Sequence, residues 1–415
     1  MAGALRAISP CNPPSLGQGG TGRAGMTRAL AVICLSNFFA ASASRITDPV
    51  LPLIAADLNV DVQAAALLAT AFALPWVIAQ PIFGPLGDLI GKTRVIRVNL
   101  IILLASTLVG AVTKDFTSLF LSRVAAGIAT AGVMPVGFAL SGDLTPPSER
   151  QVSIGRVVGS AMAGQLLGAV VAGLLGDVVG WRGVFFGAAC GLVFSTVIVF
   201  AGLRHVAVPR SNAVDLATVL ANYRTIFANP LAKVCFAAVF FEGIAIYGVM
   251  PYIAPLLTTI GETRAVIAGA VIAGFAVGGV AYSLLVPIVI GRLEPRRIMW
   301  MGAALGAAAL ATVGLRPPWQ MQMAALTVFG FGSYMLHNCI QVKMLDLAPS
   351  ARGSSVAMHA SSFFMGQALG PVLFGLALPS AGAFLTTAAA GVLLLAIGIV
   401  SGRLLYPRTL AADAR

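Results

Sequence analysis

Long apolar stretches alternate with short polar ones along nearly the whole chain, and this alternation sets every later expectation. Twelve stretches are mostly long enough to cross a bilayer as helices of about 20 residues. They run over 29–53, 62–87, 95–113, 117–142, 152–176, 183–203, 231–258, 265–290, 298–315, 319–342, 353–378 and 381–405. The longest polar interruption, 204–230, carries Arg204, His205, Arg210, Asp215 and Arg224, and it divides the spans six and six. The predicted organisation is a disordered leader over 1–26, six spans within 27–203, a linker over 204–230, six more within 231–405, and a tail over 406–415. The leader is rich in Gly, Pro and Ser and lacks the continuous apolar core of a signal peptide. Met26-Thr-Arg28, directly before the first span, is as consistent with a translation start as Met1.

Composition agrees with the pattern. The 415 residues are 58% hydrophobic and 10% charged, with a mean hydropathy of +0.94. Soluble domains average about 25% charged residues, so the expected class is an all-α integral membrane protein, with the lipid bilayer as its surroundings. The net charge of +12 raises the question of nucleic acid, and the placement of the bases answers it. About 20 of the 26 Lys and Arg fall in the leader, the linker, the tail and the loops of one side. The other side holds Lys114, Arg182, Arg264 and Arg316, while Arg45 and Arg123 lie inside spans. Such asymmetry orients a membrane protein with its basic side in the cytoplasm, so both termini are predicted there and no nucleic-acid partner is. Five cysteines (Cys11, Cys34, Cys190, Cys235 and Cys339) show neither pairing nor metal spacing and read as small hydrophobes. No metal or cofactor is expected.

The two halves repeat in sequence. At an offset of 202 residues, Pro147-Ser-Glu-Arg150 lies on Pro349-Ser-Ala-Arg352. In the same register Gly164-Gln-Leu-Leu-Gly168 lies on Gly366-Gln-Ala-Leu-Gly370, and Pro49, Pro85 and Arg94 lie on Pro251, Pro287 and Arg296. Parallel repeats of this kind imply two six-helix halves about an axis along the membrane normal.

Between the second and third spans stands Gly84-Pro-Leu-Gly87-Asp88-Leu-Ile-Gly91-Lys92-Thr-Arg94. Its glycines allow a tight turn, and Lys92 and Arg94 suit a cytoplasmic anchor. The stretch resembles the loop signature of the major facilitator superfamily of secondary transporters, G-x-x-x-D-R/x-x-G-R/K-x-R/K, although Leu89 stands where that family usually has a base. The second-half copy, Gly291-Arg292-Leu-Glu294-Pro-Arg296-Arg297, has Ile290 in place of the acid and reads as a degenerate anchor. The stretch from Tyr334 to Gly375 resembles drug/proton antiporter-like and arabinose-efflux-type exporters of the same superfamily. The resemblance covers about residues 27–405. It implies twelve transmembrane helices in two pseudo-symmetric halves, no enzymatic activity, and a loop at Gly84, Gly87, Asp88, Gly91, Lys92 and Arg94 that stabilises one facing state. A Gly-Pro that antiporters carry in the fifth span is Gly168-Ala169 here.

The charges inside the spans are the candidates for coupling. Glu242, the lone acid of span seven, lies about eleven residues in, roughly 16 Å by helix rise, near the midplane. There it is either a proton carrier or a carboxyl paired within a helix interface. Arg45 and Asp48, three apart, share a helix face. Asp48 is thus either a protonatable cavity group or half of an ion pair at the outer interface. Arg123, in Arg123-Val-Ala-Ala-Gly127, resembles the R-x-x-x-G feature that the superfamily links to proton coupling. Its bland alternative is to snorkel to the cytoplasmic headgroups and pair with Asp88. His337, Asn338 and Gln341, with Asn37 and Arg45, are candidates for lining a cavity or bonding helix to helix. Gln165 and Gln367 suit interhelical bonding.

The expected function is proton-coupled efflux of a small organic compound by alternating access, carried out by a monomer in the bacterial inner membrane. Uptake symport, uniport, or a non-transporting membrane sensor are the alternatives. No phosphate-binding G-x-x-x-x-G-K-S/T loop is present to support primary pumping. Few acids stand near the midplane, which disfavours polycations, and Phe38, Phe39, Phe240, Phe241, Tyr247, Tyr252 and Tyr334 suit an amphipathic cargo.

Overall fold

A computed structural model describes residues 23–146, 149–204, 206, 224–347 and 352–407. Residues 1–22 of the predicted leader, most of the linker and most of the tail lie outside the described residues, whereas Arg23 to Met26, placed in the disordered leader, form the first turn of a helix. Helices account for the fold, and no strand occurs among the described residues. They are α1 (Arg23–Ser42), α2 (Leu51–Asp57), α3 (Val62–Ile90), α4 (Lys92–Val112), α5 (Phe116–Leu144), α6 (Arg150–Gly202), α7 (Pro230–Val249), α8 (Ile253–Thr258), α9 (Ala265–Arg292), α10 (Pro295–Gly314), α11 (Trp319–Leu347) and α12 (Arg352–Leu405).

These elements do not map one-to-one onto the twelve predicted spans. Nine segments among the described residues are long and apolar enough to cross a membrane, and two of them, Val152–Gly202 and Met358–Leu405, have length for two crossings each. Both bend sharply at a glycine of positive φ: Gly180 (φ 66°, ψ 175°) in α6 and Gly382 (φ 76°, ψ 171°) in α12. Only glycine takes that conformation without strain, and the two glycines stand 202 residues apart. Helix α11, 29 residues long and rich in polar side chains, is not among these nine and corresponds to the predicted tenth span.

Spans one and seven are each broken, again in register. The first consists of α1, a run of turns over 43–50, and α2. The seventh consists of α7, a 3-10 turn at Met250–Tyr252, and α8. Pro49 and Pro251, at equivalent repeat positions, lie in the two breaks. Proline has no N–H to donate and crowds the preceding turn.

Within each half, glycines let helices meet backbone on backbone. A Cβ at Gly164 would fall 2.1 Å from the carbonyl oxygen of Phe38, and one at the equivalent Gly366 would fall 1.9 Å from that of Phe240. Gly168 and Gly370 repeat the arrangement against Ser42 and Ile244, at 2.5 and 2.8 Å. The sequence repeat is therefore also a packing repeat, of spans one on five and seven on eleven.

The halves touch through α6 with α9 and through α3 with α12. Their hydrogen bonds lie towards the end of the bundle that carries Gly180. There the Asp177 carboxylate accepts from the backbone N–H groups of Ala265 and Val266, at 2.7 and 2.8 Å. The Thr70 hydroxyl donates to the Ala368 carbonyl at 2.8 Å, and Trp76 stacks on Phe364 with centroids 4.5 Å apart. Arg182 holds Asp57 at the same end, and this bond keeps the Asp57 carboxyl below the usual carboxylate range. Among the described residues, the hydrogen bonds between the halves thus lie towards the Gly180 end.

Candidate functional site

Two groups of buried polar side chains meet at mid-depth, one from each half. The first is built on the break in span one. Arg45 donates from Nη1 to Asp48 Oδ2 at 3.4 Å; the two side chains are 9% and 1% exposed. The ion pair is therefore shielded from solvent by protein. Arg123 is 1% exposed and donates to the carbonyls of Ala43 (3.0 Å) and Ser44 (3.4 Å), with its guanidinium 4.5 Å from the Phe72 ring centroid. The expectation that Arg123 snorkels to the headgroups and pairs with Asp88 is therefore corrected. The physical reason is the break itself: carbonyls freed from helical bonding inside a membrane need donors, and Arg123 supplies two. Asn37, fully buried, donates to the Ile33 carbonyl at 2.9 Å and packs over Gly137.

The second group is built on span seven. Glu242 is 0% exposed. Its Oε2 lies 2.9 Å from His337 Nδ1 on α11, and His337 Nε2 lies 3.5 Å from His359 Nε2 on α12. A carboxyl and two imidazoles thus form a file across spans seven, ten and eleven. Glu242 Oε1 and His359 Nδ1 are buried without a hydrogen-bond partner among the described residues. His337 bonds helix to helix, whereas Asn338 is half-buried and Gln341 is exposed. Gln367 is buried with Oε1 lacking a partner among the described residues.

The two groups meet across the boundary of the halves, where the Arg45 guanidinium lies 4.2 Å from the centroid of the Tyr247 ring. Arg45 and Tyr247 are 202 residues apart, so the contact joins equivalent positions of the repeat.

At the Gly91 end, the predicted loop forms a compact ionic turn. Lys92 Nζ lies 2.8 Å from Asp88 Oδ1 and 2.6 Å from Asp143 Oδ2 at the end of α5. Gly91 takes φ 101°, and a Cβ on Gly87 would press the Lys92 side chain at 3.3 Å. Arg94 is exposed, so Lys92 rather than Arg94 holds Asp88. All of these bonds stay within one half.

Sequence reasoning missed Asp143, Asp177 and the stacking partner of Arg45. Asp177 left one usable trace. Helix α9 begins after Arg264, a residue that supplies no side-chain cap, and an uncapped buried N-terminus calls for an acceptor from elsewhere.

Comparison with known proteins matches this architecture to one family. The family model described as Major Facilitator Superfamily matches residues 33–371. The MFS-type transporter YfhI of Bacillus subtilis (strain 168) is 25% identical over 361 residues, covering 85% of this chain and 87% of its own. The quinolone resistance protein NorA of Staphylococcus aureus is 32% identical over 145 residues, 35% of this chain and 37% of its own. Among solved structures, a bacterial homolog of the human lysosomal transporter Spinster, inward-facing and unoccupied, superposes with a TM-score of 0.74 at 17% identity, covering 92% and 98% of the two chains. A D-xylose-proton symporter superposes at 0.75 and 13%, covering 92% and 97%. The sequence match over most of the chain, on a fold whose halves repeat down to their hinges, makes this protein a member of the Major Facilitator Superfamily.

Proposed function

We propose that this transporter moves a small organic compound across the bacterial inner membrane by alternating access, with protons as the coupling ion and efflux as the direction. Both termini lie in the cytoplasm in this reading, so the Gly91 end faces inward and the bonds of Asp177 tie the halves at the outer end. The observation that carries it is the buried Glu242–His337 pair, a proton-binding group at mid-depth beside the boundary of the halves. Protonation there changes the charge next to the surface along which the halves rock, which biases one facing state over the other. Asp48 is the second candidate for coupling, and Arg123 serves it by holding the broken span in place. The ionic turn of Asp88, Lys92 and Asp143 acts at the cytoplasmic end. Efflux is supported by the likeness to a quinolone resistance protein.

Uptake together with protons is the second reading, and one observation favours it. Arg45 and Arg123 outnumber Asp48 around span one. While the Glu242–His337 pair holds a proton, the site is one positive charge in excess and favours an anion. Proton and anion then bind together, which is the linkage of a symporter.

Direction is tested in cells. Expression of an exporter lowers the accumulation of a fluorescent amphipathic compound, and collapse of the proton gradient restores it. Accumulation that rises on expression and falls with the gradient would replace efflux by uptake.

A further inference from the structure

The arginine of the first span has more hydrogen-bonding capacity than its surroundings use. Arg45 is 8% exposed, its Nη1 reaches Asp48, and its Nη2 is buried with no partner among the described residues. A guanidinium held away from water normally satisfies its donors, because an unmet charged donor there is expensive. Neutralisation is also incomplete. Asp48 offsets one of the two guanidiniums, Arg45 and Arg123, and the other acid at this depth, Glu242, is engaged by His337. One positive charge is left over while that pair holds a proton.

The free donor lies where the halves meet. Its guanidinium covers the Tyr247 ring, and from Tyr247 an aromatic run leads across the boundary. Tyr247 meets Phe363 at 5.6 Å between centroids, Phe363 meets Phe364 at 5.9 Å, and Phe364 meets Trp76 of the other half at 4.5 Å. A planar, charged fork beside an apolar wall is complementary to a molecule with one carboxylate and one apolar body. A single surplus charge matches a monoanion better than a dianion such as a phosphate monoester.

We propose that the cargo of this site is an amphipathic organic monoanion, its carboxylate bound by Arg45 and its apolar body laid along Tyr247, Phe363 and Phe364. The proposal rests on reading this region as the binding site of a carrier. Binding of the anion completes the hydrogen bonds of Arg45 and removes the excess charge, so affinity depends on the negative group as much as on apolar area.

The test uses 2-naphthoate and its neutral isostere 2-naphthamide, which share the ring system and differ in charge. Binding to the purified full-length protein is read by calorimetry and by the rise in melting temperature. The expected result is that naphthoate binds at least about tenfold more tightly than the amide, the worth of one charge-assisted hydrogen-bond pair. Arg45→Lys keeps the charge without the fork and weakens the preference. The double variant Arg45→Gln/Asp48→Asn removes both members of the ion pair, so neither is left buried alone. Its melting temperature stays near that of the parent, and its preference for naphthoate falls at least about tenfold because the fork is gone while Arg123 keeps the net charge of the site unchanged. Equal binding of both probes, binding of neither at millimolar concentration, or a preference that survives undiminished in the double variant would overturn the proposal. Flux in vesicles separates this from the carrier reading. Naphthoate that binds but never crosses leaves the anion site standing and removes the carrier, whereas Glu242-dependent transport of neutral compounds alone does the reverse.

Discussion

Glu242→Gln is expected to abolish accumulation driven by a pH gradient while leaving a protein that folds and binds substrate. Glutamine keeps the size of the side chain and a polar contact for His337, but it carries no proton. A gradient of one pH unit supplies about 1.4 kcal/mol per proton, enough for about tenfold accumulation of cargo at one-to-one stoichiometry in the absence of a membrane potential. In vesicles the parent protein should therefore approach that ratio, and the variant should equilibrate substrate without concentrating it. Its melting temperature should stay close to that of the parent, because an amide of the same size fills the same fully buried position and keeps a polar contact with His337. Unchanged accumulation would move the coupling role to Asp48.

The second large effect concerns the balance of states. Asp177 ties α6 of one half to the N-terminus of α9 in the other through two backbone N–H groups. A carboxylate at a helix N-terminus is favoured both by these donors and by the helix dipole. Asp177→Ala removes both bonds and lets water reach the freed N–H groups once the halves part. A net loss of about 2 kcal/mol changes the ratio of the two states by about 30-fold. Spin labels at Lys114 and Leu315, exposed residues near the Gly180 end of each half, in a cysteine-replaced background, read the separation there. In Asp177→Ala the long-distance population should grow at the expense of the short one. An unchanged distribution would mean that Asp177 does not hold this end closed.

Much of the fold was legible because the membrane forces it to be. Spans must be apolar and long, so hydropathy marked them. The 202-residue repeat marked the halves, and it also anticipated the paired helix contacts of Gly164 and Gly366. The places where the elements differ from the expected spans are local backbone events. The break at 43–50 lies within an apolar stretch that reads as one helix, and the bends at Gly180 and Gly382 run two crossings into one helix. Nothing in an apolar run distinguishes a glycine that bends a helix from one that packs it.

The site was legible residue by residue, but its contacts were not. Glu242, His337, Asp48 and Arg45 each stood out as polar groups where such groups are costly. Which of them meet depends on how helices pack across distances of 80 to 100 residues in the chain, as with Arg123 and Ala43 or Glu242 and His337. Arg123 shows the difference. Its charge suggested an ionic partner, whereas the freed carbonyls of the broken span occupy it.

The most direct test of coupled transport is to follow internal pH in proteoliposomes while substrates are added, screening drugs, sugars, amino acids and organic carboxylates. The account predicts that at least one class moves protons as it moves, and that the pH change disappears in Glu242→Gln. Substrate that crosses at the same rate in both proteins with no change in pH would contradict it and leave a uniporter.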